Sequence, residues 1–296
     1  MTIEEMIGIK EERGYSFQRL SEYSGVPVVT IQKIFSGKTK APRKATLDAI
    51  EKVLQAEENI YQGKAFEYAS ANKKEVPDIV ESALKYGVAY PADVEKSEFE
   101  AKYGIKEKKQ GEYTTEDYFE IPEDVRVEVI DGVLYDMATP DYIHQMILSR
   151  MHFAFSLHIL QKGKKCHVLQ APTGVQISCD DKTMVEPDLI VLCDKSKIRK
   201  FGIYGAPDFL LEVLSPSTRL KDLSVKLGKY QESGVREYWI IDPIREKLII
   251  YNFMEENFIP QILPLTGEAE VAISEGELKI NLDEIQEMIE EYKGLE

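Results

Sequence analysis

The sequence has few cysteines and no long apolar run, and these scarcities exclude several classes of protein. Its 296 residues include three cysteines, Cys166, Cys179 and Cys193, without CxxC spacing, so the sequence predicts neither a disulfide scaffold nor a zinc site. No apolar run approaches the roughly 20 residues that a membrane-spanning helix needs. The N-terminus, MTIEEMIGIK, has acidic residues where a signal peptide has basic and apolar ones. We therefore expect a cytoplasmic protein with no membrane partner.

Basic residues are also scarce. The chain has 37 Lys and Arg residues but 52 Asp and Glu residues, and its net charge is −15. A protein that binds nucleic acid mainly by neutralising phosphates is usually basic. Any contact with DNA must therefore come from a local basic surface, from bound metal, or from both. One such region has no acidic residue between Tyr23 and Leu47. Its basic residues are Lys33, Lys38, Lys40, Arg43 and Lys44.

Residues 1–57 have the pattern of four short helices, each bounded by a glycine, a cap or a proline. The predicted helices are Ile3–Arg13, Ser16–Ser24, Pro27–Ser36 and Ala45–Leu54. Two short helices joined through a glycine turn are typical of a helix-turn-helix. Residues 58–110 follow as a polar linker rich in Lys and Glu, with one predicted helix at 78–86.

Residues 111–296 alternate between helical and strand patterns. A hairpin is predicted around Asp131-Gly132, and long apolar helices at 142–160 and 282–292. Strands are predicted at 167–170, 174–178, 189–193, 209–214, 238–241 and 247–251, with a helix at 219–233. This order predicts a mixed α/β sheet flanked by helices, with a small all-α domain before it.

Two carboxylates lie beside or within strands that are otherwise apolar. Asp188 follows Pro187 at the entrance of one strand, and Glu212 lies inside the next. A lone charge there costs several kcal/mol unless a cation, a proton or a donor compensates it. If the strands are neighbours, the carboxylates converge where a hard cation such as Mg²⁺ can bind.

Lys226 follows the two carboxylates, in the helix predicted after the second strand. Asp222, Lys226 and Tyr230 are four residues apart and share one helix face. Lys226 could supply charge for a phosphate or help to position a water. The alternative is a solvated surface lysine, with Asp222 serving only the helix N-terminus.

Residues 113–290 resemble the Uma-two family of restriction endonuclease-like proteins, within the PD-(D/E)XK nuclease superfamily. The resemblance rests on YTTEDYFEIPEDVRVEVIDGVLYDM, EPDLIVL, LLEVLSPSTRLKDLSVKLGKY and GVREYWIIDP, with His144 early in a helix. It implies a restriction endonuclease-like fold in which Asp188 and Glu212 hold the metal and the Val213 carbonyl is a further ligand. The superfamily lysine would stand at position 214, where this chain has leucine, and the resemblance transfers its role to Lys226.

Four other residues near these elements are assigned on weaker evidence. The resemblance places Glu128 near the catalytic site, although its spacing also fits the exposed face of a strand. We expect His144 to support the site and not to bind metal, because no HExxH-like spacing accompanies it. Glu186 and Asp194 flank a strand and are expected to be solvated.

Residues LSEYSGVPVVTIQKIFSGKTKAPRKATLDAIEKVL resemble the Cro-like (Xre-type) helix-turn-helix family. The resemblance implies core positions at Val26, Ile31 and Ile34. Its outward positions are Val28, Val29, Gln32 and Lys33, and the predicted DNA-binding residues are Gln32, Lys33, Lys38, Lys40 and Arg43. Valine forms no hydrogen bond to a base edge, so Lys38, Lys40 and Arg43 would grip phosphate. The alternative is a helical bundle used for protein contact.

The sequence thus predicts a Mg²⁺-dependent endonuclease, with Mn²⁺ as a substitute metal, that acts on DNA and is targeted by a helix-turn-helix. A homodimer would suit cleavage of both strands. The main alternative is a catalytically silent nuclease fold that regulates through DNA or protein binding, which the net charge and Leu214 favour. A third hypothesis, hydrolysis of small phosphates, uses the same residues.

Overall fold

The computed structural model describes residues 1–12, 15, 17–39, 42–61, 96–216, 218–255 and 259–294. Two compact units emerge: Met1–Val94 with Pro216–Val225, and Glu95–Ser215 with Lys226–Glu296. Three features of the sequence prediction lie outside the described residues, namely Lys40, the cap Ser16 and the linker helix at 78–86.

The first unit contains the four predicted helices. They are α1 Ile3–Glu12, α2 Phe17–Ser24, α3 Val28–Phe35 and α4 Lys44–Tyr61. The expected core positions Val26, Ile31 and Ile34 are buried, together with Ile50 and Leu54. Helix α4 extends past the predicted end at residue 54. The small helical domain is therefore confirmed.

A distant stretch of the chain joins this small core. Leu220, in the part of the first unit that comes from Pro216–Val225, packs against the cluster formed by α1–α4. Because about a hundred and fifty residues of chain separate Leu220 from α4, no local pattern in the sequence predicts this packing.

The second unit begins with helices α5 Lys96–Tyr103 and α6 Thr115–Glu120 and ends with helix α9 Leu282–Lys293. Its other helices are α7 Tyr142–Gln161 and α8 Leu227–Ser233. A π-helical turn, Lys221–Lys226, crosses from the first unit into α8. Its strands up to α8 are β1 Val127–Ile130, β2 Val133–Asp136, β3 His167–Gln170, β4 Gly174–Gln176, β5 Leu189–Leu192, β6 Ile198–Arg199, β7 Gly202–Tyr204 and β8 Phe209–Val213. The later strands are β9 Glu237–Asp242, β10 Lys247–Asn252, β11 Gln261–Pro264, β12 Glu268–Glu270 and β13 Lys279–Asn281.

A six-stranded mixed sheet carries the main core of the described second unit. Its strand order is β11-β10-β9-β8-β5-β3. Strands β8 and β9 run parallel, and the other neighbouring pairs are antiparallel. Apolar residues of α7 and α9 pack with those of the sheet into one cluster. Trp239 lies in it and is fully buried, as expected of a core residue. The predicted mixed α/β fold is confirmed.

Smaller sheets surround this one. Strands β1 and β2 form the predicted hairpin, and its turn residues Asp131 and Gly132 both have positive φ, 51° and 74°, as a two-residue hairpin turn requires. Strand β4 was expected, but it pairs in a separate sheet of order β4-β7-β6. Strands β6, β7, β11, β12 and β13 were not predicted from the sequence.

The cysteines differ from expectation. Cys166 and Cys193 form a disulfide, although they are 27 residues apart in sequence. Strands β3 and β5 are antiparallel with His167 opposite Leu192, so the preceding and following residues also face each other. Cys179 is free and exposed. The prediction of no disulfide was wrong, because strand pairing decides which cysteines meet. Among the described helices, none is long and apolar enough to cross a bilayer.

Candidate active site

Asp188 and Glu212 meet on neighbouring strands. In the antiparallel pair β5–β8, Leu189 faces Leu211, so the same register places Asp188 opposite Glu212. Directly opposed residues of an antiparallel pair project from the same face of the sheet. The backbone N–H of Val213 donates to Asp188 Oδ2 at 2.8 Å. The register thus holds the two carboxylates side by side, in the arrangement that the sequence predicted.

Lys226 lies between two buried carboxylates. Its Nζ is 2.8 Å from Glu212 Oε1 and 2.8 Å from Glu128 Oε1. The side chains of Lys226, Glu212 and Glu128 are 2%, 3% and 0% exposed. The alternatives of a solvated lysine and an exposed strand glutamate are therefore wrong. An ammonium group so fully removed from water is stable only because both carboxylates compensate its charge.

The helix after β8 brings two donors to the same oxygen. The hydroxyl of Tyr230 donates to Glu212 Oε1 at 2.8 Å, the atom that Lys226 also contacts. Lys226 ends the π-helical turn and Tyr230 lies one turn later in α8, which stops at Gly234 with a left-handed φ of 88°. Of the predicted stripe Asp222, Lys226 and Tyr230, the last two therefore contact Glu212, and Asp222 is buried. A π-helical turn of this kind is frequent at functional sites.

His144 supports the other carboxylate. Its Nε2 is 3.0 Å from Asp188 Oδ2. The side chain is 9% exposed and lies in the first turn of α7. Asp141 caps this helix by accepting the backbone N–H of His144, which fixes the ring's approach to the sheet. The position agrees with the supporting role that the sequence suggested.

Glu186 is the residue that the sequence misassigned. It was expected to be solvated, but it is buried and accepts hydrogen bonds from Tyr118 Oη at 2.8 Å and Arg126 at 3.0 Å. Its backbone N–H donates to Glu128 Oε1 at 2.9 Å. The partners are 58 to 68 residues away in sequence, so only the fold reveals them. Burial and the charge of Glu186 raise the pKa of the Tyr118 phenol, which keeps it a donor. Asp194 is exposed, as expected.

The donor set fits one hard cation that keeps most of its own water. Among the described residues, no group of three or more His, Cys, Asp or Glu side chains is arranged to hold a metal. Mg²⁺ commonly takes only one or two protein carboxylates and completes its shell with water and substrate oxygens. Asp188 and Glu212, with the Val213 carbonyl, are oxygen donors of that kind.

The predicted DNA-binding residues of the first unit lie at its surface. Val29 is 57% exposed. Gln32, Lys33, Lys38 and Arg43 are exposed on α3 and on the segment after it. Lys40 lies outside the described residues. The geometry therefore offers a polar and cationic face, of which α3 is the central element.

Family comparison places the second unit among nuclease-like proteins. A family profile with the description "Putative restriction endonuclease", Uma2, matches residues 115–281, which is more than half of the chain. The protein belongs to this family. A second profile, described as "Helix-turn-helix", matches residues 9–59 and contains α2, α3 and most of α4.

Two individual proteins are similar to parts of the chain. An uncharacterized protein from Synechocystis, slr1290, is 26% identical over 126 residues. That match covers 42% of this chain and 65% of the relative, so the chain spans just under two thirds of its length. A crystal structure of a putative nuclease belonging to DUF820 from Anabaena variabilis is similar with a TM-score of 0.50 and 17% identity. It covers 60% of this chain and 98% of that one, and at this identity the likeness supports the fold alone.

Proposed function

We propose that this protein is a Mg²⁺-dependent endonuclease that hydrolyses phosphodiester bonds in DNA, with Mn²⁺ as a substitute. The observation that carries the proposal is the opposed pair Asp188 and Glu212, with Lys226 on the second carboxylate. Membership of a family described by restriction endonuclease activity supports the reaction class. We also propose that the protein acts in the cytoplasm. It would act as a symmetric homodimer, because cutting both strands of a duplex commonly uses two sites.

Each residue has a role that follows from its contacts. Asp188 and Glu212, with the Val213 carbonyl, would hold the cation. The cation would supply Lewis-acid stabilisation of the charge that develops on the phosphate. His144 and the Val213 N–H fix Asp188.

Lys226 and Tyr230 act on the second carboxylate, Glu212. Both donate to Glu212 Oε1 and orient that carboxylate. Lys226 also brings a positive charge that could meet a substrate phosphate. Glu128 holds the lysine in place through its own contact at 2.8 Å.

In the first unit, α3 would lie in the major groove, where Gln32 can pair with a base edge. Lys33, Lys38, Lys40 and Arg43 would contact phosphates. Such contacts fix the register of a protein on the duplex. A local basic face of this kind is what DNA binding requires in a chain whose net charge is −15.

A catalytically silent fold is the second candidate, and one observation favours it. The ammonium of Lys226 already compensates Glu128 and Glu212. A protein of this kind would regulate by binding DNA or another protein without cutting.

The test compares conservative variants in cleavage and in metal binding. Asp188→Asn and Glu212→Gln should abolish cleavage of supercoiled plasmid in Mg²⁺ or Mn²⁺ and should weaken saturable Mn²⁺ binding. Asp194→Asn is the matched control, because Asp194 follows the strand that Asp188 precedes and is exposed. Cleavage that persists in both variants would refute the assignment. Absence of both cleavage and metal binding in the wild type would favour the silent fold.

A further inference from the structure

One exposed segment of the second unit is rich in basic residues, although the protein is acidic overall. The segment from Asp194 to Tyr204, DKSKIRKFGIY, has a single acidic residue. Its basic residues are Lys195, Lys197, Arg199 and Lys200. None of the four is paired with a carboxylate among the described residues: Lys197 and Arg199 donate to backbone carbonyls. This segment therefore keeps its positive charge, whereas the chain carries −15.

Two half-exposed phenylalanines adjoin the same segment. Phe119 of α6 is 52% exposed and Phe201, just before β7, is 37% exposed. Their ring centroids are 5.4 Å apart at an angle of 61°. Phe201 is held at the start of β7, which lies tight against β4: a Cβ on Gly202 would come within 2.1 Å of the Gly174 carbonyl. Glycine at 202 thus allows the close pairing of the strand that follows Phe201.

Hydrogen bonds connect this surface to the candidate active site. Tyr118, the neighbour of Phe119, donates its hydroxyl to Glu186. The backbone N–H of Glu186 donates to Glu128, which contacts Lys226. Tyr118, the residue before Phe119, is therefore linked through Glu186 to Glu128, one of the two carboxylates that contact Lys226.

We propose that Phe119 and Phe201, with Lys195, Arg199 and Lys200, bind a nucleic-acid strand with unpaired bases. Aromatic rings accept any base by stacking, and the neighbouring cations neutralise the phosphates of the same strand. Duplex bases are already stacked on one another, so the rings select single strands, frayed ends or locally opened duplexes. The inference deepens the proposed function and rests on it for the identity of the substrate.

The test measures binding without metal, so that cleavage plays no part. The full chain in EDTA is titrated into a labelled single strand of about 16 nucleotides and into its duplex. Phe119→Ala with Phe201→Ala should weaken single-strand binding about tenfold and change duplex binding little. Phe153→Ala is the control, because Phe153 is equally exposed, at 53%, on α7. Phe201→Leu is a second variant that keeps apolar packing while removing the ring.

A charge variant tests the phosphate contacts separately. Lys195→Glu with Lys200→Glu should weaken binding and lower the slope of log affinity against log salt by about 1.4, since each contact with a single strand contributes about 0.7. Lys106→Glu with Lys109→Glu makes the same charge change at other exposed lysines and should have a smaller effect.

Three outcomes would overturn the inference. They are no binding of single strands by the wild type, equal binding by wild type and the aromatic variants, and equal loss of single-strand and duplex binding in those variants. Failure of the proposed function looks different. A wild type that does not cleave, but whose single-strand affinity still depends on Phe119 and Phe201, would remove the nuclease assignment and keep the binding surface.

Discussion

At the scale of single residues, the stability of the folded protein depends on the two carboxylates that compensate the buried ammonium group of Lys226. Lys226 is 2% exposed and contacts two carboxylates that are themselves buried. Removing one member of a buried ionic cluster leaves the other charges without compensation. We therefore expect Lys226→Met to lower the free energy of unfolding by about 3–5 kcal/mol, measured by urea denaturation.

Two further variants test whether this loss of stability comes from the uncompensated buried charges. Lys229→Met removes a lysine three residues later that is 12% exposed and whose partner Asp131 is 47% exposed, and it should cost less, about 1 kcal/mol, because water screens the pair. Adding Glu128→Gln to Lys226→Met should recover part of the loss, because one uncompensated charge disappears. If the two lysine variants were equally stable, Lys226 would not be bound as described.

The sequence predicted the site residues better than their partners. Asp188 and Glu212 stand out locally as charges beside apolar strands. The burial of Glu128 and Glu186 does not, because it depends on Lys226, Arg126 and Tyr118, which are distant in sequence. Local pattern reveals an anomalous charge, and tertiary structure reveals what compensates it.

At the scale of elements, the cap at the start of α6 should make the stability of the protein depend on pH. Thr114 and Asp117 form a capping box, and Lys108 Nζ donates to Asp117 at 2.7 Å. Burial alone would raise the pKa of Asp117, but hydrogen bonds from Lys108 and Thr114 outweigh it and hold the pKa below its ordinary value. A carboxyl whose pKa is lowered by folding stabilises the folded state when it is ionised.

We therefore expect Asp117→Asn to destabilise the protein by about 1 kcal/mol at neutral pH. The difference from wild type should persist above about pH 4, the ordinary aspartate pKa, and should vanish as the pH falls through the lower folded value. Denaturant unfolding at several pH values measures it. Asp124→Asn, at an exposed position after the same helix, is the control and should show no such trend. A difference that is constant with pH would assign the effect to packing and not to the charge.

Among the elements, length decided what could be predicted. The helices α7 and α9 and the strands β8, β9 and β10 have enough residues for a recognisable pattern. The short strands β6, β7, β12 and β13 do not. The π-helical turn within the predicted helix at 219–233 also has no signature in side-chain spacing, because the extra residue per turn is set by what the backbone packs against.

At the scale of the whole molecule, the chain is organised in space differently from its order in sequence. The stretch Pro216–Val225, between β8 and α8, groups with the small helical unit. Dividing the sequence into consecutive segments does not predict this grouping, because the contacts join residues that are far apart along the chain. The two profiles at 9–59 and 115–281 identify the two parts by local similarity alone.

The net charge is also a property of the whole molecule, and it affects how DNA can bind to the helical unit. Because the whole chain repels phosphate, with a net charge of −15, the local cations must carry the attraction. Lys38→Ala with Arg43→Ala should therefore weaken duplex binding and lower the slope of log affinity against log salt by about 1.8, since each phosphate contact with duplex DNA contributes about 0.9. Fluorescence anisotropy across a salt series measures this slope.

The matched control is Lys106→Ala with Lys109→Ala, which removes the same charge from exposed positions in the second unit. If the attraction to DNA depended only on the total charge of the protein, both double variants would change the affinity for duplex DNA equally. Neither variant would then lower the slope of log affinity against log salt by the amount expected for two phosphate contacts. If α3 and the segment after it hold the phosphates, only the Lys38 and Arg43 variant lowers the slope. An unchanged slope in that variant would instead support the alternative that the helical unit binds protein.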